Sequence, residues 1–422
     1  MIPIKNQLNW KEFNGIDWLV SILLSLSITP LLIIKGATGL FGTILLLVAL
    51  LFLLKNGTSL SHLRNKKDFY WVCLSLSAPF LALLFAQLIR SDINIKSYDG
   101  PIRLIFAIPL FLLIVSRTVN FVNILRWIIP ASTIILFFYA LIHEQIKGLN
   151  LFSGLRLTFQ HIDPIIMGNY ALLLAFFNLF LIRKELLAWR RTLLIIGFIS
   201  GATISVLSQS RGGWIAAPIL TIIWAILNRS LFSKKYLLIS LALAGLLPIA
   251  AYFYIDLIAY RIDVGLQEII SWFNGTSKET SLGIRLSMWK LSTYLFSLNP
   301  LSGYGDKNFD PSFLANQTLL SIGSRGGVDT LYCCGPHNEF FANLLRSGIF
   351  GLASYFLIYF LPLVLFIKSI KYKPEDLAPK LGVCLIVSML IMGIGNEMLS
   401  LKFTYVFYAI ILSILLGQSL KK

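Results

Sequence analysis

The segment at residues 208–214, Ser-Gln-Ser-Arg-Gly-Gly-Trp, could hold an anionic group. Arg211 lies in a tight turn, and the glycine pair after it lets a ligand approach the backbone closely. Arginine binds phosphate and diphosphate groups through forked hydrogen bonds. The segment therefore predicts an anion site at Arg211. The competing interpretation is an arginine whose side chain snorkels to the lipid headgroups.

A second arginine, Arg285, falls in the first turn of a predicted amphipathic helix. Apolar residues recur there at helical spacing, namely Ile284, Met288, Leu291, Leu295 and Leu298. Thr280 or Ser281 can cap the start of this helix, and Asn299 followed by proline stops it. A helix N-terminus next to an arginine favours anion binding, although simple solvation at the headgroups is equally compatible with the spacing. We expect the apolar stripe, flanked by Trp289, to lie at the membrane interface.

His337 lies in the run Gly-Pro-His-Asn-Glu at residues 335–339. Pro336 fixes the chain as it enters, and the next residues begin a helix, so His337 suits a general base with a starting pKa near 6.5. Glu397 closes the eleventh predicted span and could orient a histidine or hold an arginine. A helix-end charge with no such role is the alternative for Glu397.

Second-rank phosphate candidates are Arg325, in a Ser-Arg-Gly-Gly run that we place in a loop, and Arg156, with His161 below them. We find no Walker motif, dinucleotide fingerprint or metal-ligand spacing. The sequence therefore predicts chemistry without a metal, ATP or another cofactor.

The elements that position these residues are apolar helices. Apolar residues make up 57% of the 422 positions and charged residues 13%, too few charges for the surface of a water-soluble domain. Continuous apolar runs of spanning length predict an all-α polytopic membrane protein with about twelve transmembrane helices. The predicted spans are residues 17–34, 38–54, 69–89, 101–116, 124–143, 164–182, 192–207, 213–227, 236–255, 347–367, 379–396 and 403–417.

The distribution of basic residues predicts the orientation. With a cytoplasmic N-terminus, most Lys and Arg residues fall in cytoplasmic loops, in clusters such as Arg183-Lys184 and Arg190-Arg191. The net charge of +17 is then a topology signal and an attraction to anionic membrane lipid, with no nucleic-acid partner expected. All the candidate residues above fall on the non-cytoplasmic face.

One long connection stands out, at residues 256–336 between the ninth and tenth spans. Its aromatic residues predict a folded periplasmic cap with amphipathic helices rather than a disordered loop. The predicted organisation is thus spans one to nine in residues 1–255, the cap in residues 256–336, and spans ten to twelve in residues 337–422. Cys333 and Cys334 lie in the cap, and we interpret them as incidental.

Three segments in this order resemble the O-antigen ligase family, a group that also includes O-antigen polymerases. They are residues 207–211 before the glycine-rich start of span eight, residues 280–289 with Arg285, and residues 336–339 with His337. The family has an acidic residue late in span eleven, often Asp, where this chain has Glu397. Within the matching segments, Trp289 and Asn338 are further substrate-binding candidates.

The resemblance implies an inverting, metal-independent glycosyltransferase of the bacterial inner membrane with a periplasmic active site. The donor would be an O-antigen polysaccharide on undecaprenyl diphosphate, and the acceptor a sugar hydroxyl of the lipid A–core oligosaccharide. His337 would act as the general base, while Arg211 and Arg285 would hold the diphosphate in the same cavity. Arg156, Arg325 and Glu397 would contribute to substrate binding.

Two alternatives remain open at this stage. An O-antigen polymerase uses the same donor with a second lipid-linked glycan as acceptor. A lipid-linked-glycan transporter, from a different class, would move the substrate without forming a bond and would not need His337.

Overall fold

The computed structural model describes residues 13–56, 67–147, 156–159, 161–229, 234–305 and 311–421. Within them the chain is almost entirely helical, and the β pairing recorded there is a single bridge between Phe159 and Ile162. Nine α-helices of the described residues precede the cap: α1 (Gly15–Ile28), α2 (Ala37–Asn56), α3 (Lys67–Arg90), α4 (Asp99–Ser116), α5 (Phe121–Ile146), α6 (Pro164–Leu181), α7 (Ala188–Leu207), α8 (Arg211–Leu227) and α9 (Lys234–Tyr254). Each overlaps one of the first nine predicted spans.

The described part of the cap contains four α-helices, and the chain then returns to the bundle. The cap helices are α10 (Asp256–Phe273), α11 (Ser281–Leu298), α12 (Gln317–Ile322) and α13 (Arg325–Cys334). The last three helices are α14 (Glu339–Tyr372), α15 (Leu377–Met392) and α16 (Lys402–Ser419). α10 begins two residues after α9 ends, so the predicted start of the cap coincides with a helix boundary.

The helices suit an all-α polytopic membrane protein. Eight helical segments within the described ranges are long and apolar enough to cross a membrane, and α1, α8 and α15 are shorter apolar helices. A span needs roughly 20 residues, or fewer where the bilayer thins around it. The count of twelve spans therefore stays a prediction.

The buried apolar side chains of the described residues form two separate cores. The large core joins the membrane helices, with α6 and α16 almost wholly enclosed. The small core lies inside the cap and combines residues of α11, α12, α13 and the first part of α14. A cap with its own core is a folded unit, which agrees with the aromatic content of residues 256–336.

The predicted role of the α11 stripe as a membrane-interface surface is wrong. Met288, Leu291 and Leu295 are buried in the cap core, where they meet Leu319 and Leu331. The sequence pattern shows that a helix has an apolar face but not which neighbour covers it. Exposed apolar side chains lie instead along α10, namely Ile262, Leu266, Ile270 and Phe273. Helix α10 therefore has the surface expected of an interfacial helix.

Helix α14 is broken where the cap joins the bundle. Ser347 and Gly348 leave the helical region, and Gly348 has φ +57°. A Cβ there would lie 2.5 Å from the Pro300 carbonyl oxygen, which only glycine avoids. The Pro300 carbonyl accepts from the Ile349 N–H (2.8 Å), and the Tyr304 N–H donates to the Leu345 carbonyl (2.7 Å). The predicted tenth span, which begins at residue 347, thus starts at this break.

Candidate functional site

A strained turn between α7 and α8 presents Arg211. Gln209 has φ +53°, a backbone region that costs a residue with a side chain about 1–3 kcal/mol. The Arg156 Nε donates to the Ser208 carbonyl at 2.8 Å, and the Ser210 hydroxyl donates to the Asn169 Oδ1 of α6 at 2.8 Å. These two contacts stabilise the turn, and α8 begins directly after it at Arg211.

The cap helices meet this turn through Glu268. The Arg211 Nη1 lies 3.1 Å from the Glu268 Oε2, and the same oxygen accepts from the Leu282 N–H in the first turn of α11 (3.1 Å). The predicted cap of α11 is confirmed, since the Thr280 hydroxyl accepts from the Gly283 N–H at 3.2 Å. One carboxylate therefore joins the α8 arginine to a helix N-terminus, a pair of donors that also suits a phosphate.

Four arginines gather here, and we call Arg156, Arg211, Arg261 and Arg285 the arginine cluster. Burial lowers the pKa of Arg285, and the nearby Arg211 charge lowers it further, while Asp163 and Glu268 act in the opposite direction. Burial and then Arg211 lower the pKa of Arg261. Burial is also the largest cause of the lowered pKa of Arg156. Positive charges are thus crowded together in a partly dehydrated site.

The arginine cluster has donors and charge left over for a ligand. The buried Nε groups of Arg211 and Arg261 have no hydrogen-bond partner among the described residues. Buried polar groups are ordinarily paired. Four guanidinium groups face two carboxylates, those of Asp163 and Glu268. The excess of two positive charges matches the two negative charges of a diphosphate diester.

His337 lies in a separate cavity of about 430 Å³, here called the His337 cavity. The residue has φ +48° in the link between α13 and α14. Asn338 caps α14 as predicted for the start of a helix, accepting from the Phe340 and Phe341 N–H groups. The Asn338 Nδ2 also donates to the Ile394 carbonyl at 2.9 Å. Asn338 therefore has a positioning role that accounts for its presence without substrate contact.

Trp289 reaches the same link from the cap. Its Nε1 donates to the Pro336 carbonyl at 3.2 Å, and its ring stacks on Phe341. The side chain that we predict at the membrane interface thus steadies the backbone directly before His337.

Glu397 lies in the His337 cavity with Arg346. The Glu397 Oε2 is 3.6 Å from the Arg346 Nη2, and a Cβ on Gly335 would come within 2.7 Å of the Glu397 Oε1. The carboxylate therefore holds an arginine and packs on the link that carries His337. The predicted end of span eleven at residue 396 is wrong: α15 ends at Met392, because two glycines follow and the chain turns there.

The residues lining the His337 cavity do not include Arg211 or Arg285, among those that the structure describes. Asp163 is the connection, since it lines the cavity and interacts electrostatically with Arg156 and Arg285. The expected arrangement of histidine and arginines in a single cavity is thus replaced by two adjoining sites that share Asp163.

Arg325 stands apart from the arginine cluster. It begins α13 rather than lying in a loop, and its Nε and Nη1 bond Asp329 and the Leu314 carbonyl (each 3.1 Å). Further along α13, Cys333 and Cys334 are joined by a disulfide, so our interpretation of them as incidental is wrong. Cys334 lines the His337 cavity. A bridge between adjacent cysteines closes a strained ring, so the sequence alone does not favour one.

Sequence reasoning missed four residues of these sites: Asp163, Arg261, Glu268 and Arg346. Arg261 and Glu268 are seven residues apart on α10, which places both on one helical face, so the spacing carried a signal. Arg346 stands at the start of a span, where an arginine is costly and suggests a function. Asp163 precedes Pro164 as the cap of α6, and nothing in its sequence context indicates a second role.

Comparisons with known proteins match the part of the chain that holds most of these residues. A family model described as O-antigen ligase matches residues 195–356, which hold three of the clustered arginines, the cap and His337. A Haemophilus influenzae protein described as uncharacterized is 26% identical over 369 residues, covering 83% of this chain and 85% of that protein. The match supports a membrane glycosyltransferase of the ligase or polymerase type. Over residues 195–356 the chain is therefore similar to the O-antigen ligase family.

Proposed function

We propose that the protein transfers a polysaccharide from a polyprenyl diphosphate, undecaprenyl diphosphate in bacteria, to a sugar hydroxyl of the lipid A–core oligosaccharide. The observation that carries this proposal is the arginine cluster, with its two unpaired Nε donors beside the His337 cavity. The cluster suits a diphosphate, and the cavity has room for the sugars that react. The basic clusters on the opposite loops support an inner-membrane protein with this site facing the periplasm.

The proposed reaction is a single displacement with inversion. The acceptor hydroxyl oxygen forms a bond to the anomeric carbon while the bond from that carbon to the diphosphate oxygen breaks. His337 accepts the hydroxyl proton, and the diphosphate leaves on its carrier lipid. Arg211 and Arg285 stabilise the negative charge that grows on the leaving oxygen, as preorganised donors do in other active sites. The excess positive charge makes a metal ion unnecessary for this step.

Glu397 and Arg346 form the second part of the proposal. The Arg346–Glu397 pair and the Asn338 and Trp289 contacts fix the backbone on both sides of His337. Fixed geometry matters because the base must meet the acceptor proton as the bond forms.

The test is to replace His337 with Ala in a strain that lacks its own ligase and to follow lipopolysaccharide and carrier-linked polymer. General-base catalysis contributes roughly 10²–10⁴-fold, so we expect capped lipopolysaccharide to disappear while polymer accumulates on the carrier. His143→Ala is the matched control, since His143 pairs with Glu144 outside the His337 cavity.

Normal capping by the His337 variant would exclude the base role. Loss of long polymer, rather than loss of its attachment, would show a polymerase. If neither the unaltered protein nor the His337→Ala variant formed a glycosidic bond, and the variant moved lipid-linked glycan at the normal rate, the protein would be a transporter.

A further inference from the structure

A second hollow opens at the same end of the bundle, beside α2. It has a volume of about 620 Å³ and lies between the α1–α2 connection, α4 and the start of α16. We call it the α2 groove. Its apolar side chains include Leu31, Ile34, Leu40, Ile44 and Leu47, of which Ile34, Leu40, Ile44 and Leu47 are exposed. Such a surface suits hydrocarbon chains.

The α2 groove also has a cationic rim. Lys35, Arg103 and Lys402 line it. Asp99 is paired with Arg103 (2.7 Å) and with Lys402 (2.5 Å), and the Arg103 Nη1 donates to the Thr43 hydroxyl at 3.1 Å. Asp99 thus pairs with two of the three cations on the rim, which leaves a positive excess beside an apolar surface. Apolar chains next to a negative head group would complement both features.

His161 adds an unsatisfied donor or acceptor to this groove. Its Nε2 is buried and has no hydrogen-bond partner among the described residues. Burial lowers the pKa of His161, and the nearby Lys35 charge lowers it further. An uncharged imidazole can bond a phosphate or sugar hydroxyl that lies within reach.

The α2 groove adjoins the His337 cavity. Leu401 and Lys402 line both hollows. On another side of the His337 cavity, Asp163 connects the cavity to the arginine cluster. The reacting histidine is therefore reached from two regions, one rich in arginine and one that combines apolar walls with a cationic rim.

We propose that the α2 groove docks the lipid part of the acceptor, a phosphorylated glycolipid, with its phosphate at Lys35, Arg103 and Lys402. The sugars of the acceptor then extend past Lys402 toward His337. This inference rests on the proposed function, since it assigns the second substrate of the same reaction. It places the two lipids on separate surfaces, so that neither carrier has to leave before the other binds.

The decisive variant is Gly39→Leu. Gly39 lines the groove on α2, and a Cβ there meets nothing within 4 Å, so a leucine fills the groove without a clash. Gly245→Leu on α9 is the matched control, because Gly245 is also helical with open space around it. Two charge-reversal variants test the cationic rim. Lys35→Glu reverses a charge in the groove, and Lys55→Glu, at the opposite end of α2, is its control.

Each variant is purified and reconstituted into lipid vesicles. Transfer rates are then measured while the concentrations of the donor and of the lipid A–core acceptor are varied separately. We expect Gly39→Leu and Lys35→Glu to raise KM for the acceptor by about tenfold or more, with KM for the donor and kcat unchanged. The control variants should match the unaltered protein. A tenfold change corresponds to the loss of one modest binding contact, which one filled groove or one reversed charge can produce.

Three other results would overturn the inference. A rise in KM for the donor alone would show that the groove holds the polyprenyl carrier. Unchanged KM for both substrates would show that bulk phospholipid fills it. A fall in kcat with both KM values unchanged would show a purely structural groove. The proposed function is tested by a different variant. Full transfer by His337→Ala would exclude the proposed catalytic role of His337, whatever the groove variants show.

Discussion

The same four residues, Ser-Arg-Gly-Gly, begin two helices of this protein, α8 at residues 210–213 and α13 at residues 324–327. In both, the serine is the N-cap residue and the arginine is the first helical residue. The Arg211 side chain is 22% exposed and faces Glu268 across an interface, whereas the Arg325 side chain is 59% exposed and pairs with Asp329 one turn on. The surroundings, rather than the motif, distinguish the proposed ligand site at Arg211 from the exposed helix start at Arg325.

The serines differ as well. The Ser324 hydroxyl caps α13 by accepting from the Gly327 N–H at 3.0 Å, an ordinary structural use. The Ser210 side chain makes no cap bond and donates to Asn169 of α6 instead. The start of α8 is therefore left without its usual side-chain acceptor, and a ligand oxygen could supply one.

The largest predicted difference between the two segments is in catalysis. Arg211→Ala should lower the transfer rate about 10²–10³-fold, as the loss of one preorganised donor does in other enzymes. Arg325→Ala should stay within about twofold, because an exposed ion pair between neighbouring turns contributes little. Initial rates in vesicles decide between them, after protein levels have been matched. Equal losses of transfer rate in the two variants would contradict a functional difference between Arg211 and Arg325.

A second difference concerns stability. A Cβ on Gly327 would lie 2.8 Å from the Cβ of the buried Ser287, whereas a Cβ on Gly212 would have its nearest contact at 3.7 Å. Gly327→Ala should therefore destabilise the cap by about 1–3 kcal/mol. Gly212→Ala should leave stability near that of the original protein. Thermal unfolding in detergent, together with proteolysis of the cap, measures both, and equal melting temperatures would contradict the prediction.

The smallest expected effect is on anion binding. Glu268→Gln removes a negative charge from the arginine cluster, so added undecaprenyl diphosphate should inhibit transfer more strongly, by about three- to tenfold. Asp329→Asn removes the corresponding carboxylate beside Arg325 and should not alter inhibition. Weaker inhibition of the Glu268 variant would mean that the carboxylate chiefly orients Arg211 instead of competing with the ligand.

Several local features could be predicted from the sequence because they depend on neighbours along the chain. The Thr280 cap and the start of α14 at the His337 segment follow from turn and cap chemistry. The beginning of the cap at Asp256 follows from the end of an apolar run. The helical positions follow from apolar run length. These signals need no knowledge of what packs against each helix.

Other features depend on contacts between distant segments. The α11 stripe packs on α12 and α13, Glu268 meets Arg211 across 57 residues, and Asp163 adjoins both sites. A periodic pattern gives the apolar face but not its partner, and a single charge does not indicate which opposite charge folds onto it. The arrangement of His337 and the arginines in two adjoining sites was invisible for the same reason.

The break in α14 at Gly348 has a consequence for exchanging segments between this protein and its relatives. Residues 300–305 supply or accept hydrogen bonds to Leu345, Arg346 and Ile349, so the break and this segment complete each other's backbone pairing. A chimera that transplants the cap alone, cut at residues 256 and 336, would separate these halves and leave polar backbone groups unpaired at the membrane edge. A working transplant should carry residues 256–349 as one piece, with its downstream junction inside the continuous helix that follows.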